Sequence, residues 1–356
     1  MDGMTSKERL RAAVLGKETD RLAWSPNLAY MFNHLSEEMQ QLGHVGFNKL
    51  IGADLLNRFG ACPATRGESE QVKIHEWAEA GRTLAEFKTP VGTLRRIYAR
   101  SPEGETNFLI EHPLKSLEDY KIQLWIEEQA RFEPDPSIKA SDESLDFNML
   151  IPGATKSAFQ HLVEHLVGTE QLMYDLADFP EEVEALWAAI RENNRKALAI
   201  AAESDLEFFV TWEDSSTQNY SPAMYEKYIV PEISEWCSVL AASGKRYIQH
   251  ACGHLKGLIP LMNRCGLSAV ESLSPAPTGN VTLTEARRAL DPSIAIIGGI
   301  EPTELLNRSL SDLGPYVEQV IAEGSVGPFI LANADSCPPG VTIEKFKLIS
   351  EIVRHE

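Results

Sequence analysis

The chain has 356 residues, 43% of them hydrophobic and 24% charged, and its formal net charge at pH 7 is −19. This composition is typical of a globular protein with one large or two medium domains. Nucleic-acid binding requires concentrated Lys and Arg, so we expect no nucleic-acid partner for so acidic a chain. No apolar run approaches the roughly 18 residues of a membrane span, and no signal-peptide pattern is present. We therefore expect a cytoplasmic protein without a membrane partner, whose five cysteines are reduced.

The first part of the chain predicts a helix, a strand and an antiparallel meander. Thr5 and Glu8 form a capping-box pattern ahead of the first helix, and residues 21–28 predict the first strand. Polar and apolar residues then alternate in three short runs, with Gly81 and Pro90 in the turns between them. Alternation indicates one solvent-exposed face. We interpret the stretch at about 70–100 as a β-meander inserted at the edge of the fold.

From about residue 146 onward, short apolar runs recur, and most are followed by helical periodicity. These runs are residues 147–151, 206–212, 247–249, 269–273, 294–297 and 329–331. Strand–helix alternation repeated this often predicts a parallel sheet. We predict one α/β domain over 1–356, a (β/α)8 TIM barrel with an N-terminal β-meander excursion. The alternative is an open doubly wound sheet, which the absence of a Gly-rich phosphate loop disfavours.

Polar side chains end most of these runs, and the C-terminal strand ends of a barrel meet at one mouth. His250 and Cys252 are two residues apart, so both side chains leave an extended segment on the same face. Cys337 follows the last predicted strand. One His and two Cys supply three of the four ligands of a zinc site, and an open fourth position makes such a site catalytic. We predict these three as ligands, with Glu213 as a displaceable fourth ligand and catalytic residue and Glu271 as the second choice.

Other residues of the predicted mouth are candidates for binding a substrate. Trp212, Tyr220 and Tyr30 could form a wall for an aromatic ring. Asn333 and Asp335 add an amide and a carboxylate at the end of the last strand. No pair of Arg or Lys is evident that could hold a sulfonate.

A second metal-like pattern lies on a predicted helix. His161, Glu164 and His165 match the H-x-x-E-H arrangement of inverted zinc proteases. The pattern is short, and no downstream helix offers an obvious Glu ligand. We therefore favour a polar helix face or part of a pocket wall.

Several motifs together resemble the uroporphyrinogen decarboxylase superfamily. They are Ser6–Leu10 through Asp20–Arg21, Ser221–Pro222 before a helix, His250–Gly253, Gly298–Pro302, and Phe329–Leu331 ahead of Cys337–Pro339. The resemblance covers nearly the whole chain, is clearest from about residue 170 onward, and implies a (β/α)8 barrel. True decarboxylases of this superfamily carry an N-terminal arginine-rich motif that grips substrate carboxylates. The corresponding stretch here has no arginine after Arg21, which disfavours decarboxylation.

The H-x-C…C pattern resembles the zinc-dependent, corrinoid-linked methyltransferases of the same superfamily. By this resemblance His250, Cys252 and Cys337 match the Zn²⁺ ligands, and the implied partner is a separate small corrinoid protein. The resemblance implies a methyltransferase that moves a methyl group from a small methylated substrate to Co(I), and we expect O-demethylation of a methoxylated aromatic. The alternatives are a methylcobamide:thiol methyltransferase of the coenzyme M type, a metal-free uroporphyrinogen-type decarboxylase, and a non-enzymatic accessory barrel.

Overall fold

The computed structural model describes residues 3–101, 106–153 and 156–355. The strands in these ranges are β1 (Ala23–Trp24), β2 (Leu56–Gly60), β3 (Ala64–Gly67), β4 (Lys73–Glu79), β5 (Arg82–Thr89), β6 (Gly92–Arg100), β7 (Asn107–Glu111), β8 (Arg131–Pro134), β9 (Leu145–Met149), β10 (Phe208–Trp212), β11 (Arg246–His250), β12 (Ala269–Leu273), β13 (Ala295–Ile300) and β14 (Phe329–Asn333).

The helices are α1 (Ser6–Val14), α2 (Ala29–Asn33), α3 (Glu37–Gln41), α4 (Gly43–Ile51), α5 (Leu117–Gln129), α6 (Ala158–His161), α7 (Thr169–Asp178), α8 (Pro180–Glu203), α9 (Pro222–Met224), α10 (Val230–Ala242), α11 (Ile259–Met262), α12 (Leu283–Ala289), α13 (Pro302–Asn307), α14 (Leu310–Gly324) and α15 (Ile343–Val353). Two π-helical segments, Leu162–Leu166 and Tyr225–Ile229, continue α6 and α9. Within the described ranges, no helix is both long enough and apolar enough to cross a bilayer.

Eight strands form one parallel sheet whose order follows the chain. The hydrogen-bonded order is β2, β9, β10, β11, β12, β13, β14 and β1. Every pairing in this sheet is parallel. A doubly wound sheet would show a reversal of strand order, and this sheet shows none. The structure therefore confirms the TIM-barrel prediction and excludes the doubly wound alternative.

Side chains help to close the barrel between β1 and β2. The Asp54 N–H donates to the Trp24 carbonyl at 2.7 Å, and the Trp24 N–H donates to the Asp54 carboxylate at 3.0 Å. The guanidinium of Arg58 donates to the Ser25 carbonyl at 2.8 Å. The first strand ends at Trp24, short of the predicted 21–28. The side chains of Asp54 and Arg58 hydrogen-bond to the backbone of Trp24 and Ser25, where strand pairing ends.

Strand alternation divides the barrel between an interior core and an outer layer. Phe208, Val210 and Ile248 fill the interior together with Leu10 of α1, which closes the N-terminal end of the barrel. Phe209 packs instead in the outer core. The same alternation carries four side chains inward at the C-terminal strand ends, namely Arg58, Trp212, His250 and Glu271.

The connection between β2 and β9 contains the antiparallel excursion. β4, β5, β6 and β7 form a four-stranded meander, and β3 pairs with β8. The predicted excursion is confirmed, with β7 extending it beyond residue 100. Because the excursion follows the C-terminal end of a barrel strand, it stands at the mouth side of the barrel.

Candidate metal centre

Asp214, His250 and Cys252 form a compact group of potential metal ligands. One ligand atom of each lies within 4.8 Å of the others. The Cys252 thiol donates to Asp214 Oδ1 at 3.2 Å, and Nε2 of His250 lies 3.4 Å from the same oxygen. Carboxylate, imidazole and thiolate are donors that zinc takes in proteins, and three protein ligands leave one position open. The donor set therefore fits Zn²⁺.

The backbone has an unusual conformation at the C-terminal ends of β10 and β12, next to these side chains. Asp214 follows β10 with a φ of 45°, in the left-handed region that Asp tolerates better than most residues. Ser272 has a φ of 74°, and the register between β12 and β13 shifts between Glu271 and Leu273. Such bulges and strained residues re-aim neighbouring side chains and concentrate at functional sites.

A buried relay orients His250. Its Nδ1 hydrogen-bonds Glu271 Oε2, and Glu271 Oε1 accepts from Arg58 Nε at 2.9 Å. All three residues are buried. A histidine whose Nδ1 is held by a carboxylate presents Nε2 to a metal in a set orientation. Nε2 is the nitrogen of His250 that faces Asp214.

Burial and neighbouring charges set the protonation of the centre. Burial lowers the pKa of His250, but the charge of Glu271 and the hydrogen bonds to Asp214 and Cys252 outweigh it and raise the pKa well above its usual value. Burial raises the pKa of Glu271, whereas the charges of His250 and Arg58 bring it down to about 2. Burial raises the pKa of Cys252 to about 11. A metal bound here would therefore displace protons from His250 and Cys252.

Lys156 holds Asp214 in place. Its ammonium donates to Asp214 Oδ2 at 2.6 Å and also to the Trp212 carbonyl, and it lies 2.9 Å from Glu164 Oε2. Burial raises the pKa of Asp214, but the hydrogen bond from His250 and the charge of Lys156 outweigh it and lower the pKa below its usual value. Asp214 is thus ionised and ready to serve as a ligand.

Glu213 does not join this group. Its carboxylate accepts from the Ser157 N–H at 2.7 Å, from Ser157 Oγ at 2.6 Å and from Thr211 Oγ1 at 2.8 Å. Trp212 of β10 points into the barrel, so Thr211 and Glu213 face the outer layer. Glu213 as a ligand or catalytic residue therefore stays a prediction, and its neighbour Asp214 is the carboxylate that lies in the donor group.

Cys337 also lies outside the group. Its N–H donates to the Asn27 carbonyl at 2.9 Å, its carbonyl accepts from Met31, and its buried thiol donates to the Pro338 carbonyl at 3.7 Å. No ligand group within 3–101, 106–153 and 156–355 includes it. Cys337 as a zinc ligand therefore stays a prediction.

Two of the predicted substrate residues lie beside the centre. The Trp212 ring is 4.7 Å from the His250 ring, centroid to centroid, and it stacks on Phe59 at 4.9 Å. The charge of Asp335 contributes to the raised pKa of Cys252, and burial raises the pKa of Asp335 itself. Trp212 and Asp335 therefore lie near the donor group, and their roles in substrate binding stay predictions.

The other three predicted substrate residues make contacts elsewhere. Tyr220 is buried in the outer core. The Asn333 side chain donates to the Asn27 carbonyl and accepts from its N–H, both at 2.9 Å. Tyr30 is 37% exposed and accepts from Thr106 Oγ1 at 3.4 Å. Their roles in substrate binding stay predictions.

Comparison with known proteins supports the fold and the family. A methyltransferase from Methanosarcina mazei has a TM-score of 0.62 at 12% identity, with 99% of each chain covered. A putative vitamin-B12 independent methionine synthase from Listeria monocytogenes has a TM-score of 0.38 at 10% identity, covering 94% of this chain and 95% of its own. At 12% identity the likeness to the methyltransferase shows the fold alone, and nothing is concluded from the second structure. No curated protein sequence matches the chain.

The family follows from the sequence itself. Residues 137–356 match the model described as uroporphyrinogen decarboxylase (URO-D). This match spans more than half of the chain and confirms the resemblance drawn from the short motifs. The chain belongs to the uroporphyrinogen decarboxylase family.

Proposed function

We propose that this protein is a zinc-dependent methyltransferase that moves a methyl group from a methoxylated aromatic compound to the Co(I) of a corrinoid carried by a partner protein. The observation that carries the proposal is the donor group of Asp214, His250 and Cys252, with His250 held by the buried Glu271–Arg58 pair. The structure from Methanosarcina mazei that shares the fold over the whole chain is itself a methyltransferase, which supports the same reaction class.

The residues around the centre suit an aromatic ether. Bound zinc would supply Lewis acidity toward an ether oxygen at the open position. Glu271 orients His250, and Lys156 keeps Asp214 ionised. Trp212, stacked on Phe59, offers a flat apolar surface beside His250 for a ring. The ring and its oxygen would thus be held next to the donors.

Metal content is the first test. We expect about one zinc per chain in the wild-type protein and little zinc in Cys252→Ala and Asp214→Asn, because each change removes an anionic donor. Cys265→Ala is the matched control, since Cys265 is a buried thiol that donates to the Leu261 carbonyl outside the donor group. Elemental analysis measures the result. Wild-type protein that takes up no zinc under reducing conditions would overturn the zinc dependence.

Cys337→Ala separates the two possible ligand sets. If Asp214, His250 and Cys252 bind the metal, Cys337→Ala should retain zinc and Asp214→Asn should lose it. The reverse result would restore the set of His250, Cys252 and Cys337.

Turnover tests the reaction class. Methyl transfer from methoxyaromatics to a Co(I) corrinoid protein should stop on chelation of zinc and in Cys252→Ala. A decarboxylase would be insensitive to both treatments. A thiol methyltransferase would instead bind a small thiol tightly in its zinc form and show no reaction with ethers.

A further inference from the structure

A cavity of about 390 Å³ lies between the antiparallel excursion and the barrel. Phe87 of β5 and Tyr98 of β6 line one side, and Ile151 and His161 line the other. Lys156 also lines the cavity, while its ammonium is bonded to Asp214 of the metal centre. The cavity therefore adjoins the centre, and its volume falls within the usual range for small-molecule sites, roughly 300–1,000 Å³.

The three Arg and Lys side chains that line this cavity, those of Arg66, Arg96 and Lys156, differ in their partners. Arg66 is paired with Glu68 at 2.7 Å and with Glu127 at 2.8 Å. Lys156 is paired with Asp214 and with Glu164. These two cations are therefore neutralised by carboxylates of the protein.

Arg96 is the cation without such a partner. Its guanidinium lies 5.0 Å from the centroid of the Phe87 ring and 5.4 Å from that of the Tyr98 ring. Its Nε is buried and has no hydrogen-bond partner among the described residues, where no ion pair of Arg96 is found either. A buried donor of this kind is unfavourable unless a ligand or an ordered water accepts from it.

His161 provides a second unsatisfied atom in the same cavity. Its Nδ1 is buried without a partner in the described part of the chain. The H-x-x-E-H pattern does not form a metal group there, because the Glu164 carboxylate pairs with Lys156 and accepts from Gln160. The structure thus supports the pocket-wall interpretation of His161 and His165, both of which line the cavity.

We propose that this cavity binds the carboxylate of a monocyclic aromatic acid, with Arg96 and His161 as the anion-binding residues. Arg96 donates to the carboxylate, the Nδ1–H of His161 donates to it as well, and the rings of Phe87 and Tyr98 pack against the apolar body of the ligand. The sequence analysis considers cations only at the ends of the barrel strands. Arg96 lies in β6 of the excursion and is therefore not among them. The inference rests on the proposed function only in taking this acid as the methyl donor, since binding needs neither zinc nor corrinoid.

Calorimetric titration of the metal-free protein with benzoate and benzamide tests the proposal. The two probes have nearly the same shape and differ in charge. Benzoate should bind at least about tenfold more tightly than benzamide, because a charged hydrogen bond is lost with the amide. Equal affinities for the two probes, or no binding of benzoate, would overturn the proposal without bearing on methyl transfer.

Two arginine variants locate the binding. Arg96→Met should weaken benzoate binding by about tenfold or more and leave benzamide unchanged. Arg95→Met is the matched control: Arg95 is adjacent in β6, its side chain is 46% exposed, and it lies 3.5 Å from Glu111. Unchanged benzoate affinity in Arg96→Met contradicts the proposal. If that variant does not fold, His161→Phe provides the same comparison at the second residue.

Discussion

Glu271 holds two buried groups in position at once. It bonds Nδ1 of His250 through Oε2 and Arg58 through Oε1, and both partners are buried with it. The carboxylate therefore orients His250, a proposed metal ligand, and neutralises the buried guanidinium of Arg58. The two roles have different consequences when the carboxylate is removed.

Glu271→Gln should weaken zinc binding by about 10–100-fold, the usual effect of losing the partner of a ligand histidine. It should also lower the free energy of unfolding by about 3–5 kcal/mol, because Arg58 is left as an uncompensated buried charge. Competition with a chelator measures the first effect and urea denaturation the second.

The double variant Arg58→Met/Glu271→Gln separates the two effects. Removing both charges should restore part of the stability, since no buried charge remains unpaired, while zinc affinity stays low. Recovery of zinc affinity along with stability would mean that Glu271 acts on the metal centre only through folding.

The residues of the centre could be predicted only in part. His250 and Cys252 were visible because a strand end and a two-residue spacing place their side chains together. The sequence predicts Glu213 because it lies at the end of a strand, but both faces of β10 are buried, so the sequence does not reveal which residues point inward. The left-handed φ of Asp214 turns its carboxylate to the centre. Nothing in the sequence indicates this conformation, so the sequence does not distinguish Asp214 from Glu213.

Glu232 links three helices behind the barrel wall. This residue of α10 accepts from the Ala158 N–H of α6 at 2.9 Å and from Asn194 of α8 at 2.8 Å. Its carboxyl group is fully buried, and burial raises its pKa to about 8, against the hydrogen bonds that lower it. Protonation of one side chain therefore affects the packing of all three helices.

The raised pKa of Glu232 predicts a loss of stability with rising pH. Below the usual pKa near 4.5 both folded and unfolded states hold the proton. Between that value and about 8 the unfolded state releases it while the folded state retains it, so the free energy of unfolding falls, by up to about 5 kcal/mol. Glu232→Gln should remove this part of the pH dependence. Urea denaturation at pH 5 and at pH 8 measures the change in the free energy of unfolding between the two.

Glu226→Gln is the control for that comparison. Glu226 lies in the π-helical segment before α10 and pairs on the surface with Arg264. The Glu226→Gln variant should therefore keep the wild-type dependence of the free energy of unfolding on pH. A Glu232→Gln protein with the same slope as wild type would show that Glu232 is ionised in the folded state.

At the level of elements, the sequence predicted the barrel and the excursion but not their exact extents. Alternation in β4, β5 and β6 predicts the meander, although β4 itself is exposed on both faces. The first strand was overestimated because side-chain bonds of Asp54 and Arg58 replace strand pairing after Trp24. Such long-range bonds have no local pattern in the sequence. The position of the Cys337 thiol depends in the same way on main-chain bonds to Asn27 and Met31.

The whole barrel depends on the junction between β1 and β2, where strand pairing is replaced by the Asp54 carboxylate. This carboxylate, 1% exposed, accepts from the Trp24 N–H, from Arg9 at 2.6 Å and from Arg21 at 2.9 Å. Arg9 belongs to α1, which closes the interior at the opposite end from the metal centre. Asp54 therefore joins the first helix, the first strand and the second strand.

Asp54→Ala should lower the free energy of unfolding by about 3–5 kcal/mol, because it leaves the buried Arg9 charge underpaired and the Trp24 N–H without an acceptor. Asp20→Ala is the matched control: Asp20 also pairs with Arg9, at 2.6 Å, but its side chain is 31% exposed. That variant should lose about 1 kcal/mol or less. Urea denaturation compares the two. Equal losses would mean that water replaces the bonds of Asp54 and that the barrel closes without them.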